Sequence, residues 1–443
     1  MSSLIESLPM EMLEKICFYV SSKEDKSSFR LISKRFEAAG SSIFRELRLW
    51  PDLTKTDDRS IYEFPSVHGQ IPECDYYEHI LADPHLAKSV RSVHVDTWDC
   101  NLGDPVNRFN LLTMFCNITR VPNLKRATLR FPLPDREELR MPGYDYDGAM
   151  EDRTVLLDNF LEFMNMTNIN ELAIENFATI CDCEDRQGPP EVLERLRSLT
   201  IVSELTTLRS ESFHLPHLET LALGKHVFRH DDQVEWIIRH RKTLRNLYLD
   251  GCSLNYFAKF ILDGDDSEDP RDGLILHPSF SLDGQDIGVV SYPKRWHHIF
   301  KRFQQKLDNL RNFGFGFIKQ RYIFGFGVYP SEVVEDKLKN RIFEERYCSY
   351  DDTMISTDAQ SVGDPFLGAP GAGEEYHVGF PFPRCDLEDA LALNELLVSI
   401  GSPSDPKIVE MGRVAKDLET ARRLRPYSTK IALMKGPTFR PKE

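Results

Sequence analysis

The 443-residue chain reads as an α/β protein with parallel strands, and three observations predict it. Seven segments between residues 86 and 320 share the order apolar-x-x-apolar-x-apolar, a short strand with an apolar anchor before it. Helical apolar spacing precedes several of these segments, and strand alternating with helix implies parallel pairing. Both ends break the rhythm, with helical spacing in residues 1–50 and again after Asp386. An apolar fraction of 41% and a charged fraction of 28% suit a chain with a sizeable core.

In SLPMEMLEKICFYV, Pro9 fits the first turn of a helix, where its missing N–H costs nothing. Leu13, Ile16 and Val20 then share one helical face. In FRLISKRFEAAG, Phe29, Ile32 and Phe36 repeat that spacing and Gly40 offers a stop. A short apolar piece, Ile43 to Trp50, closes the unit, and residues 51–85 are a turn-rich connector. The seven strand segments follow: Val90/Val93/Val95, Leu124/Ala127/Leu129, Ile169/Leu172/Ile174, Leu196/Leu199/Ile201, Leu218/Leu221/Leu223, Leu244/Leu247/Leu249 and Leu310/Phe313/Phe315.

Such a triplet matches by chance in roughly 7% of windows at this apolar content, so its weight comes from context. Phe109, Leu112 and Phe115 predict a helix before the second segment; Leu157, Phe160, Leu161 and Met164 one before the third. Val234, Ile237 and Ile238 precede the sixth, and Trp296, Ile299, Phe300 and Phe303 the seventh. Starts at 169, 196, 218 and 244 lie 27, 22 and 26 residues apart, a spacing that resembles leucine-rich repeats. The resulting expectation is an irregular αβ solenoid over 86–320, with inserted loops where gaps reach 34, 45 and 66 residues.

Residues 321–443 are expected to be an extension, with a flexible Gly-, Pro-, Ser- and Asp-rich stretch at 350–384. Helices then follow from Asp386, with Gly401 as a stop, and from Asp405-Pro406, with Ile408, Met411, Ala415 and Leu418 on one side.

The opening residues carry a second resemblance. Leu8-Pro9-x-Glu11-x-Leu13-x-x-Ile16, then Phe29-Arg30-Leu31-Ile32-Ser33-Lys34-Arg35-Phe36, resembles the F-box motif over about 45 residues, a tenth of the chain. The resemblance implies a small N-terminal helical F-box at 1–50, docking on a Skp-type adaptor through Leu8, Pro9, Leu13, Ile16, Leu31 and Ile32. Through that adaptor it implies a cullin, and for the chain a role as non-catalytic substrate receptor of an SCF-type ubiquitin ligase. The alternative it leaves is an F-box scaffold outside ubiquitination. An unknown protein substrate would meet polar positions of the strands, with Arg126, Arg130, Glu171, Arg197, Arg245 and Tyr248 as candidates.

A formal charge of −15 argues against a general nucleic-acid binder, because neutralising phosphates takes a concentrated basic surface, although a local basic patch is compatible with it. No apolar run reaches the ~20 residues a membrane helix needs, and the start lacks a secretory leader, so a cytoplasmic or nuclear setting is expected. Nine cysteines, mostly scattered singly, suggest no disulfide framework. Phosphate loops, metalloprotease pairs and nucleophile elbows are absent from the sequence, so no catalytic residue, cofactor or metal is assigned. Cys181-x-Cys183, His297-His298 and the basic run Arg239, His240, Arg241, Lys242 and Arg245 read as structural or solvated. The acidic run from Asp263 to Asp272 reads as a solvated insertion.

Overall fold

The structure is a computed structural model. It describes residues 8, 12–13, 45–49, 81, 84–97, 105–131, 146–176, 191–202, 215–261, 273–282, 285–317, 338–343, 346–351 and 383–424. Pro9, Ile16, Leu31, Ile32, Cys181, Cys183, the connector from 51 to 80 and the acidic run at 263–272 lie outside the described residues.

In chain order the strands are β1 (Glu46–Leu49), β2 (Ser92–Asp96), β3 (Arg126–Arg130), β4 (Glu171–Glu175), β5 (Ser198–Val202), β6 (Thr220–Gly224) and β7 (Val227–Phe228). They continue with β8 (Asn246–Asp250), β9 (Ser253–Ile261), β10 (Ile275–Leu282), β11 (Gln285–Ser291), β12 (Asn312–Gly316) and β13 (Tyr347–Asp351). The helices are α1 (Pro84–Ser89), α2 (Pro105–Ile118), α3 (Tyr146–Asn165), α4 (Glu191–Glu194), α5 (Asp231–Arg239), α6 (Trp296–Lys306), α7 (Asp386–Ser399) and α8 (Pro406–Leu424).

The fold is mixed α/β around an eight-stranded sheet in the order β1-β2-β3-β4-β5-β6-β8-β12. Every pairing in it is parallel, and the register is constant. The second residue of each strand pairs with the second of the next: Leu47, Val93, Ala127, Leu172, Leu199, Leu221, Leu247 and Phe313 form one row. The fourth residues, from Leu49 to Phe315, form another, and both rows are buried. Val90, Leu124, Ile169, Leu196, Leu218, Leu244 and Leu310, the anchors ahead of the strands, are buried as well. Each such side chain is worth roughly 1.5–3 kcal/mol relative to exposure, which is why a chain with little else in common between segments repeats this spacing.

Residues 46–49 do not close a helical unit; they form β1, the outer strand of the large sheet. The 66-residue gap between the sixth and seventh segments holds strands as well as loops. In it β9, β10 and β11 pair antiparallel, and β7 and β13 add to β9 in parallel. On α2 the buried face is Leu111, Met114, Phe115 and Ile118, while Phe109 is 69% exposed.

α7 starts at Asp386 and α8 at Pro406, where their sequence signals lie. Gly401 ends α7 with φ of 84°, a left-handed conformation that favours glycine. Gly412 of α8 lies against α7 so closely that a Cβ there would come within 2.7 Å of Ala390 Cβ. On the side expected to be apolar, Ile408 is buried and Met411 is exposed. The outer edge of β12 is met by Asn340, whose side chain bonds Phe315 N and Phe313 O, and by Arg341 N, which donates to Phe315 O.

Candidate functional site

Polar side chains of the large sheet fall into rows by strand position, and the rows differ in how far they satisfy themselves. The first strand residues are Glu46, Ser92, Arg126, Glu171, Ser198, Thr220, Asn246 and Asn312. Much of this row is internally paired. Arg126 meets the Glu171 carboxylate at 2.7 Å, Asn246 donates to Thr220 Oγ1 at 2.8 Å, and Asn312 donates to Asn246 Oδ1 at 2.7 Å. At the fifth position Arg130 lies between Asp96 at 3.1 Å and Glu175 at 3.0 Å, largely buried. Tyr248, at the third position, is buried beside Gly314.

One residue before the strands, a different row appears. Backbone bonds carry the ladder back to Arg45, Arg91, Lys125, Asn170, Arg197, Glu219, Arg245 and Arg311; Arg91 N, for instance, donates to Arg45 O, and Arg311 N to Arg245 O. Arg45, Arg91, Lys125, Arg197, Arg245 and Arg311 are all exposed. Neighbouring parallel strands lie about 4.8 Å apart, so six cations and two gaps span about 34 Å along one edge.

These cations have different commitments. Arg91 donates to Lys88 O at 2.6 Å and Val90 O at 3.2 Å, closing the end of α1. Arg197 pairs with Glu219 at 3.1 Å, in the open. Lys125, Arg245 and Arg311 enter no ion pair among the described residues. Exposed Lys88, Arg120, Arg241, Lys242 and Lys306, from the loops and helix ends at the same edge, add to it; Glu46, Glu194 and Asp308 subtract. The opposite edge carries Asp96, Arg130, Glu175 and Asp250, with Arg130 pairing both Asp96 and Glu175. In a chain of net charge −15 the sheet therefore gathers exposed cations along one edge.

Sequence reading named Arg197 and Arg245 of this row and missed Arg45, Arg91, Lys125 and Arg311. A signal was there: Phe44-Arg45, Val90-Arg91, Leu124-Lys125, Leu196-Arg197, Leu244-Arg245 and Leu310-Arg311 each open an apolar-cation-x-apolar-x-apolar segment. Of the residues expected to dock an adaptor, Leu13 is wholly buried and Leu8 half-buried.

Titratable groups elsewhere are set up for structure. Burial, with the nearby charges of Arg229 and His230, pushes His226 down to about 3, so it is neutral. Burial pushes the Cys252 and Cys348 thiols up, and burial beside Asp389 raises Cys385 to about 11. His240 is buried between Trp236 O and Leu215 N, and His297 is held by Asp389 at 2.9 Å. Among the described residues no group of His, Cys, Asp and Glu is arranged to hold a metal ion, and no helix is long and apolar enough to cross a membrane.

No family model matches the chain. It is similar to the mitochondrial transcription termination factor 5 of Drosophila melanogaster, with 25% identity over 234 residues, 51% of this chain and 39% of that protein. The chain thus spans about two fifths of the relative's length. These findings overturn the F-box and leucine-rich-repeat resemblances, and with them the Skp-type adaptor, the cullin, the protein substrate and the ubiquitin-ligase role or its scaffold alternative. The physical reason is the shortness of the signals: a tenth of the chain in one case, three apolar positions in the other. A relative named for transcription termination in mitochondria also overturns the exclusion of nucleic acid and the cytoplasmic or nuclear setting.

Proposed function

We propose that the chain is a non-catalytic, nucleic-acid-associated binding module, built as an irregular αβ solenoid that presents its basic edge to phosphates. The observation that carries this reading is the aligned row of exposed cations in an otherwise acidic protein. Like charges stacked about 4.8 Å apart repel one another, and a polyanion relieves that repulsion while releasing its own counterions. The likeness to a transcription termination factor over half of the chain supports the same class of ligand and a mitochondrial setting. The solenoid reading rests on the sequential strand order and constant register, in which each segment buries its apolar face against the next.

Equilibrium binding of the full chain to labelled DNA and RNA, followed by fluorescence anisotropy across a salt series, tests the proposal. The expected result is binding at 50 mM salt that falls linearly on a log–log plot. Absence of binding to both polymers at low salt would refute it.

A further inference from the structure

We infer that the basic edge holds a single-stranded nucleic acid by its phosphates, along the row from Arg45 to Arg311, without reading its bases. This rests on the nucleic-acid reading above and adds which form of the polymer the edge fits. The row is about 34 Å long, close to one full turn of a B-form duplex. Over one turn each duplex backbone winds once around its axis. Cations near the two ends would meet phosphates, while those between, such as Lys125 and Arg197, would face grooves for part of the way. A single strand can lie against all of them.

Shape points the same way. Strands in a sheet twist relative to one another, so a row along a sheet edge follows a curve. A duplex with a persistence length of about 50 nm resists that curve, and a single strand follows it freely. The residues beside the row, at the first strand position, contain no aromatic ring: Glu46, Ser92, Arg126, Glu171, Ser198, Thr220, Asn246 and Asn312. Without a ring for bases to stack on, contact is confined to the backbone and tolerates any sequence. Much of that neighbouring row is also paired across strands, through Arg126–Glu171 and the Asn312–Asn246–Thr220 chain, which leaves few donors to reach a base.

The experiment compares a mixed-sequence 20-nucleotide single strand with the matching duplex, using the full chain and the double variant Arg245→Gln/Arg311→Gln. Both side chains are exposed and enter no ion pair among the described residues, so the fold should survive, and circular dichroism checks that it does. The single strand is expected to bind at least tenfold more tightly than the duplex at equal salt, with DNA and RNA alike. Two lost phosphate contacts should flatten the log–log salt slope by about 1.4 and weaken binding about ten- to thirtyfold near 0.1 M salt. Lys301→Gln, on the exposed side of α6 and away from the row, should change neither.

A duplex that binds as tightly as the single strand would overturn this inference and leave the broader reading standing. Failure of both polymers to bind would sink the broader reading itself. Unchanged binding in the folded double variant would show that the row is not the site. Equal competition by poly-glutamate would also overturn the inference, because the edge would then be selecting charge alone.

Discussion

A carboxylate with no solvent exposure must find donors for both oxygens, and Asp389 finds them on two separate segments. Its Oδ1 accepts from His297 N and Nδ1 at 2.9 Å, and its Oδ2 from Arg346 Nε and Tyr347 Oη at 2.9 Å. Arg346 in turn reaches Asp386 and Phe343 O, while Trp296 Nε1 donates to Arg346 O. One buried group thus ties α6, β13 and α7 together. Burial by itself would raise the Asp389 carboxyl, but the His297 bond and the Arg346 charge outweigh it and hold the group below its ordinary value. A depressed carboxyl stabilises the fold above its unfolded-state value of about 3.9, and that contribution is lost as pH falls through the lower folded-state value. Asp389→Ala would leave the Arg346 guanidinium buried with Asp386 as its one remaining carboxylate, at a cost of about 3–5 kcal/mol at pH 7. Urea unfolding at pH 7 and pH 3 checks this. The gap between variant and wild type should narrow at the lower pH, and a gap independent of pH would show that the charge is not what matters.

Elements were legible where apolar spacing is local. All seven apolar triplets lie in or just ahead of strands of the large sheet, and helices at α2, α3, α5 and α6 precede strands as their spacing implies. The second sheet was not legible, because β9 pairs with β13 some ninety residues away and its SLNYFAKFI sequence follows no simple alternation. β1 carries the same spacing as the other strands, Phe44, Leu47 and Leu49, but the helical spacing that precedes it in the sequence hides it. The apolar spacing puts Phe109 on the buried face of α2, but the face that packs holds Phe115, 5.1 Å from Phe160, and leaves Phe109 exposed. Phe115→Ala should therefore cost about 3–5 kcal/mol, and Phe109→Ala should stay within about 0.5 kcal/mol. Thermal unfolding of both variants checks the assignment, and equal losses would contradict the helix phase. The basic row was half-legible for a related reason: each cation is unremarkable in its own segment, and the row exists only once eight segments are placed in register.

For the molecule as a whole, a formal charge of −15 and a basic edge make opposite demands on a polyanion. Distant acidic groups repel it, but at 0.15 M salt charges more than about 8 Å away are largely screened, so the local row decides binding. Glu219 is the one anion within that row; it interrupts the line of cations and also occupies Arg197 at 3.1 Å. Glu219→Lys would remove the interruption, free Arg197 and add a seventh cation. The pair it breaks is exposed and worth at most about 1 kcal/mol, so the fold should tolerate the change. If single strands track the row, this variant should bind them more tightly, about ten- to thirtyfold near 0.1 M salt. Its log–log salt slope should steepen by about 0.7 to 1.4, one to two further phosphates neutralised. The gain should vanish toward 1 M salt, where the screening length falls to about 3 Å. A variant that binds no better than wild type at low salt would mean that the ligand does not cross β6, and the row would then have to be read as two separate clusters, Arg45 to Lys125 and Arg245 to Arg311.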